Sequence, residues 1–503
     1  MRLRQRLWNP YVLVFLSSGS IMTIELVASR LAAPRLGVSL YTWTSIIGIV
    51  LAGISVGNYV GGRLSDRWAS LPFLGLLLAL ASLGTLSILY LTDLFHRVPI
   101  THSWPVMLQI VGYVAAVYFV PGAILGCVSP TVVKLSLDDL NRAGTTVGKI
   151  YAWSTAGSIA GTFATGFWFI SWFGTRTIIT IVAALLMILA LWFVTVGGWR
   201  KALFRAAVLL TLFAVGWWFL QTNGALASEC LQESKYFCIK VHDEQVEGRE
   251  VRSLVLDRLV HSYTDIDDPT YLQYGYERTY AEVIEPLVQA NPTPDVFFIG
   301  GGGYTFPRYL EETLPASRLV VAEIDPAVIE VAYTHMGLDR DTRIESWAMD
   351  ARAYMAWHGQ PNSFDIIFGD AFNDYSVPFH LTTLEFAQLL DHLLREDGMY
   401  LANIIDGGRH GHFLRAFVRT LQQVFPHVYV IPNQRVGWEN STRSTFVVVA
   451  SRQTLDLHSL DMEHQPLTPE DLAAYLAQEP PLILTDDFVP VDNLLLPVFR
   501  DSA

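Results

Sequence analysis

Seven apolar runs of about twenty residues fill the first 225 positions of this 503-residue chain, and they restrict its fold more than any other feature. A bilayer core takes about 20 apolar residues per helix, because no water is present there and every backbone N–H and C=O must bond within its own segment. The runs lie near 11–31, 41–61, 71–92, 105–130, 150–172, 175–197 and 204–222. The fourth is interrupted by Pro121 and ends at Pro130, which predicts a kink where a proline removes an N–H donor. The opening residues, Met1 to Pro10, are basic, but the run after them is too long for a removable signal and lacks a small-residue cleavage site. It reads as a first membrane helix.

Charge divides where these runs end. Residues 1–224 hold 15 Lys and Arg against 5 Asp and Glu, and the remainder holds 19 against 42, so the halves stand at +10 and −23. The acidic half has no clustered cations to displace counterions from phosphate, which argues against nucleic acid as a partner. In the first half the cations favour alternate loops: Arg2, Arg4 and Arg6; Arg63 and Arg67; Lys134, Arg142 and Lys149; Arg200, Lys201 and Arg205. The other loops carry only Arg30, Arg35, Arg97 and Arg176. Eleven against four puts the amino terminus in the cytoplasm. Seven crossings would leave the second half outside, where Cys230 and Cys238 could pair, and an even count would return it to the cytoplasm. Cys127, inside an apolar run, reads as packing.

Within the membrane half, Gly53, Gly57 and Gly61 repeat every four residues, as do Gly157 and Gly161, so small residues line one helix face and let a neighbour approach closely. Glu25 is the one acid inside a run, with Arg30 as its candidate partner. The stretch from Gly62 to Arg67 resembles the loop between the second and third helices of major facilitator transporters. That resemblance implies shared ancestry of the bundle more safely than transport.

Beyond residue 225 the pattern becomes that of a water-soluble α/β domain. Residues 226–292 contain short strands at 236–241, 251–257 and 259–266 around a polar turn at Glu247-Gly248-Arg249, and a connecting helix, which suggests a small β-domain. Residues 293–503 alternate strands with helices, which predicts a parallel sheet covered on both faces, with one antiparallel edge strand at its end. The fold class is therefore a multi-pass α-helical membrane domain followed by a Rossmann-like domain of methyltransferase type with a small β-domain in front.

Open parallel sheets bind ligands beyond the carboxyl ends of their strands, and polar residues gather there. The first strand runs into Gly300-Gly301-Gly302-Gly303, where missing side chains let the backbone approach a ligand. Glu323 ends the second strand, where a carboxylate can accept both hydroxyls of a ribose. Asp350 ends the third and Asp370 the fourth. Singly, each acid reads equally well as a loop residue or a helix cap; in register they point to a nucleoside pocket.

These residues resemble the spermidine synthase (polyamine aminopropyltransferase) family, and in particular its bacterial members fused to a membrane domain. The resemblance covers about residues 236–452. The family's Leu-Asp-Gly-x-x-Gln turn is matched by Leu256-Asp257-Arg258-Leu259-Val260-His261, and its Tyr-His-Glu by Tyr280-Ala281-Glu282. Its Gly-Gly-Gly-Asp-Gly loop is matched by Gly300 to Tyr304, its Glu-Ile-Asp by Glu323-Ile324-Asp325, its Asp-Gly by Asp350-Ala351, and its catalytic Asp-x-x-Asp loop by Asp370-Ala371-Phe372-Asn373-Asp374.

The resemblance implies a bacterial inner-membrane enzyme that moves an aminopropyl group from decarboxylated S-adenosylmethionine to a small-molecule amine, with no metal. It implies Asp370 and Tyr280 as catalytic residues. Gly300, Gly301, Gly302, Glu323, Asp350 and His261 would hold the nucleoside, and Asp374, Asn373 and Glu282 the acceptor. It also implies a homodimer, since soluble relatives commonly pair. The departures fall on the amine side: Gly303 replaces the loop aspartate, Ala281 the histidine, and Asn373 the second acid of the catalytic loop. A dication needs carboxylates, so these losses leave two other readings open. One is a methyltransferase using S-adenosylmethionine itself; the other is a non-catalytic sensor or transporter that binds a polyamine or nucleoside.

Overall fold

Helix α1 (Pro10–Leu36) starts where the Asn9 side chain accepts the N–H groups of Tyr11 and Val12, with Pro10 supplying a preset φ at the first helical position. The computed structural model describes residues 9–97, 105–137, 139–194, 199–371, 377–408, 410–434 and 437–501. The chain divides into two units, Met1–Phe237 and Cys238–Ala503.

In the first unit α1 is followed by α2 (Leu40–Trp68), α3 (Leu71–Arg97), α4 (Met107–Ser136), α5 (Ala143–Ala164), α6 (Thr175–Val194) and α7 (Arg200–Thr222). Six of the described helices are long and apolar enough to cross a membrane. The exception is α5, which covers the fifth expected run and is extended by a π turn, Thr165–Phe169, and by Ile170–Trp172. Its many Gly, Ser and Thr residues make it less apolar than the rest. In α4 a π turn, Ala115–Phe119, stands just before Pro121, absorbing the missing N–H. The helix does not end at Pro130 as its sequence suggested; after a break at Cys127 it continues to Ser136.

The glycine repeats are contact seams. A Cβ at Gly53 would lie 2.8 Å from the Phe119 carbonyl oxygen and one at Gly61 2.6 Å from the Cys127 Cα, so α2 meets α4 backbone to backbone. Likewise a Cβ at Gly161 would lie 2.5 Å from the Gly19 carbonyl oxygen, and one at Gly157 would collide with that of Phe15. The same α1–α5 seam carries hydroxyl pairs, Ser18 with Ser154 at 2.7 Å and Thr165 with Thr23 at 3.0 Å. Arg30, the expected partner of Glu25, donates to the carbonyls of Lys235 (2.6 Å) and Ser234. Cys127 is a free, buried thiol, and Cys230 and Cys238 are each disulfide-bonded.

The second unit opens with antiparallel strands β1 (Cys238–Val246), β2 (Arg249–Leu256) and β3 (Leu259–Thr264). Glu247 and Gly248, both at positive φ, make the tight turn between the first two. Helix α8 (Gly275–Ala290) leads into a seven-stranded sheet of β4 (Asp295–Ile299), β5 (Arg318–Glu323), β6 (Glu345–Ala348), β7 (Phe364–Gly369), β8 (Leu394–Asp406), β9 (His427–Pro432) and β10 (Ser444–Ser451). Its order is β9-β10-β8-β7-β4-β5-β6, the Rossmann-like arrangement of methyltransferase type. The antiparallel strand is not at the edge as expected. It is β10, inserted between β8 and β9 and antiparallel to both. Its run of valines reads as an interior strand because both faces are buried.

Aromatic side chains set α8 against this sheet. Phe298 of β4 stacks on Phe368 of β7 at 5.1 Å, and Tyr280 of α8 lies 4.9 Å from Phe368. The helix is thereby anchored over the tips of the two central strands.

The seams give a direct test. Gly157→Ala, forced against the α1 backbone, should cost about 1–3 kcal/mol, whereas Gly48→Ala, with nothing within 4 Å of the added carbon, should be neutral or slightly stabilising. Thermal unfolding of the full chain in detergent reads the difference, and equal midpoints would refute backbone contact at Gly157.

Candidate active site

Strand β4 is the topological switch of the sheet: it pairs in parallel with β5 on one side and β7 on the other, so the crevice for a ligand opens beyond β4 and β7. Their tips are stitched together. Asp370 N–H donates to the Ile299 carbonyl and Gly300 N–H to that of Ala322, both at 2.9 Å. Gly300 has φ +91°, and a Cβ there would lie 2.6 Å from the Asp370 carbonyl oxygen. Only glycine allows this approach. The loop then passes into α9 (Thr305–Thr313) through Tyr304, held at φ +58° with its hydroxyl 3.0 Å from Ser346 Oγ.

Glu323, at the tip of β5, binds the back of the glycine loop. Its Oε2 accepts from Gly301 N–H at 2.9 Å and Gly302 N–H at 3.4 Å, and its Oε1 from Asp325 N–H at 3.0 Å. Burial pushes its carboxyl above the ordinary range, against the pull of those N–H groups. Asp325 caps α10 (Pro326–His335) through Ala327 N–H.

Asp370 is the buried acid at the centre. Its Oδ2 accepts from the Tyr276 hydroxyl at 2.9 Å and its Oδ1 from Asn403 Nδ2 at 3.0 Å. Burial raises its pKa, and the two neutral donors hold it down in part. It lines a hollow of about 20 Å³ together with His261, Ser262, Tyr276, Glu277, Tyr280 and Gly300 to Gly303. Tyr280 is 1% exposed, and its hydroxyl has no hydrogen-bond partner among the described residues. Of the residues expected from the sequence, the structure therefore gathers Asp370, Tyr280, His261 and Gly300, Gly301 and Gly302 around one hollow, with Glu323 supporting the loop.

Other expected residues lie elsewhere. Asp350 caps α11 (Ala351–His358) by accepting Ala353 N–H at 2.9 Å, and its second oxygen is 2.7 Å from His380 Nε2. That hydrogen bond lowers its pKa. Glu282, two residues beyond Tyr280, projects from another side of α8 and accepts Glu463 N–H at 3.1 Å. Asn373 and Asp374 lie outside the described residues. At Gly303, where the resembling family has an aspartate, a Cβ would collide with Ser262 Oγ, so the missing acid could not enter unless Ser262 moved.

Three residues at this site were not singled out from the sequence: Tyr276, Glu277 and Asn403. A signal was present for the first two. The buried side of α8 includes 276, 277, 280, 283 and 284, a helical stripe on which Glu277 is an acid among apolar residues. Asn403 gave none, since one amide inside a hydrophobic strand is visible as a donor only once β8 lies beside β7.

No family model matches the chain. It is similar to the polyamine aminopropyltransferase of Vibrio vulnificus, 37% identical over 117 residues, which cover 22% of this chain and 38% of that protein. It is also similar to that of Chromobacterium violaceum, 28% identical over 215 residues, covering 42% of this chain and 76% of the relative. The chain thus spans well under half the length of the first and about three quarters of the second. Among solved structures, a probable spermidine synthase from Corynebacterium glutamicum matches 52% of this chain and 97% of its own, with a TM-score of 0.46 and 20% identity. The sequence relatives bear out the resemblance to polyamine aminopropyltransferases carried by the strand-tip motifs.

Replacing Asn403 by Leu removes a donor from the charged form of Asp370, so its pKa should rise further. The expected outcome is a carboxylic-acid infrared band, assigned by its loss in Asp370→Asn, that persists to higher pH in Asn403→Leu. An unmoved band would show that Asn403 does not tune Asp370.

Proposed function

We propose that the second unit is an aminopropyltransferase whose donor is decarboxylated S-adenosylmethionine and whose acceptor is a small-molecule amine. The observation that carries this reading is Asp370, a buried carboxylate at the topological switch, held by Tyr276 and Asn403 beside a glycine loop. The kinship with polyamine aminopropyltransferases supports it.

In the proposed reaction the donor's nucleoside runs along Gly300 to Gly302 and Glu323. The neutral acceptor nitrogen attacks the propyl carbon attached to the sulfonium. A carbon–nitrogen bond forms, the carbon–sulfur bond breaks with its electron pair left on sulfur, and the nitrogen's proton passes to Asp370. The raised pKa of Asp370 suits it to take that proton, and its place at the strand tip beside the glycine loop would set the attacking nitrogen in line with the carbon. Glu323 would receive the ribose hydroxyls in exchange for part of its contact with the loop N–H groups.

A second reading, methyl transfer from S-adenosylmethionine, is favoured by one relative, the eEF1A lysine and N-terminal methyltransferase of Xenopus laevis, 27% identical over 143 residues and matched over 20% of its length. Calorimetry with each donor separates the two. Decarboxylated S-adenosylmethionine should bind at least about tenfold more tightly, and the reverse order would favour methyl transfer. Asp370→Asn should abolish turnover and leave nucleoside binding within about twofold. It should also keep or raise the unfolding temperature, because a buried charge is removed. Full activity in that variant would exclude Asp370 as the base.

We further propose that the first unit lies in the bacterial inner membrane with its amino terminus in the cytoplasm. Sulfonium donors are cytoplasmic metabolites, so the reaction requires the second unit to face the cytoplasm, as an even number of crossings provides. A single cysteine introduced into that unit should react with an impermeant reagent only in opened cells. Labelling of intact cells would instead agree with the Cys230–Cys238 disulfide, which persists in oxidising compartments, and would exclude a cytoplasmic donor.

A further inference from the structure

Glu277 is 2% exposed and lines the same hollow as Asp370. Its Oε2 has no hydrogen-bond partner among the described residues. A buried carboxylate oxygen left without a donor is costly, and a second acid in the same hollow adds repulsion. Burial first and the charge of Asp370 second push the Glu277 carboxyl well above its ordinary range. Only the Tyr274 N–H and the Arg278 charge oppose them, and Arg278 is itself paired with Glu463 at 2.8 Å.

The walls suit a cation. Tyr276 and Tyr280, which both line it, stand edge to face at 5.5 Å, and aromatic faces attract ammonium groups. The Tyr280 hydroxyl, also without a partner among the described residues, remains to accept a donor. A site of about 10–15 Å³ holds a water molecule, so the hollow's 20 Å³ has room for an ammonium-sized group but not for a whole diamine.

We propose that Glu277 is a substrate-binding residue that receives a protonated amino group of the acceptor in the hollow beside Asp370. It takes over the grip that Gly303 and Ala281 cannot supply. This rests on the aminopropyl-transfer reading and adds to it the residue that would hold the acceptor. Glu277 lies one helical turn before Ala281 on α8. Ser262 occupies the space that a side chain at Gly303 would need.

Calorimetry on the full chain in detergent, with 5′-methylthioadenosine and putrescine as separate probes, tests this. Wild type should bind both. Glu277→Gln should leave the nucleoside within about twofold and weaken putrescine by about 10- to 100-fold. Repeating the putrescine titration in buffers of different ionisation enthalpy should show proton release in wild type that falls by about one proton in Glu277→Gln. A merely structural glutamate would not produce that change. Glu277→Asp, with the charge on a shorter arm, should bind putrescine with intermediate affinity and keep the proton release, which covers the case in which the glutamine variant does not fold.

If wild type binds no nucleoside, the aminopropyl-transfer reading itself fails. Nucleoside binding without putrescine binding, putrescine binding without proton release, or equal putrescine affinity in wild type and Glu277→Gln would each overturn the role of Glu277 and leave that reading standing.

Discussion

A carboxylate survives in the dry interior only where its oxygens find donors, and the tip of β7 is organised around that requirement. Asp370 takes one donor from α8, through Tyr276, and one from β8, through Asn403. Both donors are neutral, so among the described residues no cation bonds to the acid, and it retains the raised pKa that burial imposes. The geometry beneath is equally specific. Gly300 passes under the Asp370 carbonyl at a positive φ, which brings the two central strand tips within hydrogen-bonding distance. Helix position, strand register and glycine placement therefore all converge on one side chain.

The same hollow explains how the second unit can depart from the motifs it resembles and keep a coherent chemistry. A glycine loop without an acid, followed by a helix without the usual histidine, would leave an amine with no counter-charge. On the proposed reading the buried stripe of α8 restores one. Burial and the charge of Asp370 raise the pKa of Glu277, a strain that the proposed ammonium group would relieve. Asp350, at another strand tip, is already engaged by its helix cap and its contact with His380.

In the first unit the governing constraint is different. Were these helices in a bilayer, whose chains are as apolar as leucine, they would gain little from hiding apolar surface and would associate through close backbone approach and hydroxyl pairs. Gly157 and Gly161 on α5 against Phe15 and Gly19 on α1, with the Ser18–Ser154 and Thr23–Thr165 pairs along the same seam, show both devices. The residues that make α5 less apolar than its neighbours are the ones this contact uses.

Local rules were enough for much of this. The length of the apolar runs, the four-residue glycine spacing and the alternation of strands with helices are properties of neighbouring residues, and they placed the helices, the seams, the parallel sheet and the acids at strand tips from the amino-acid sequence alone. What the sequence could not determine depends on residues far apart in the chain. The insertion of β10 between β8 and β9, the pairing of Asn403 with Asp370, the diversion of Asp350 to His380 and of Glu282 to Glu463, and the meeting of Glu277 with Asp370 each join segments whose separation along the chain carries no record of their distance in space. Burial and hydrogen bonding act on that distance, and so tertiary structure alone decided which of several plausible acids face the hollow.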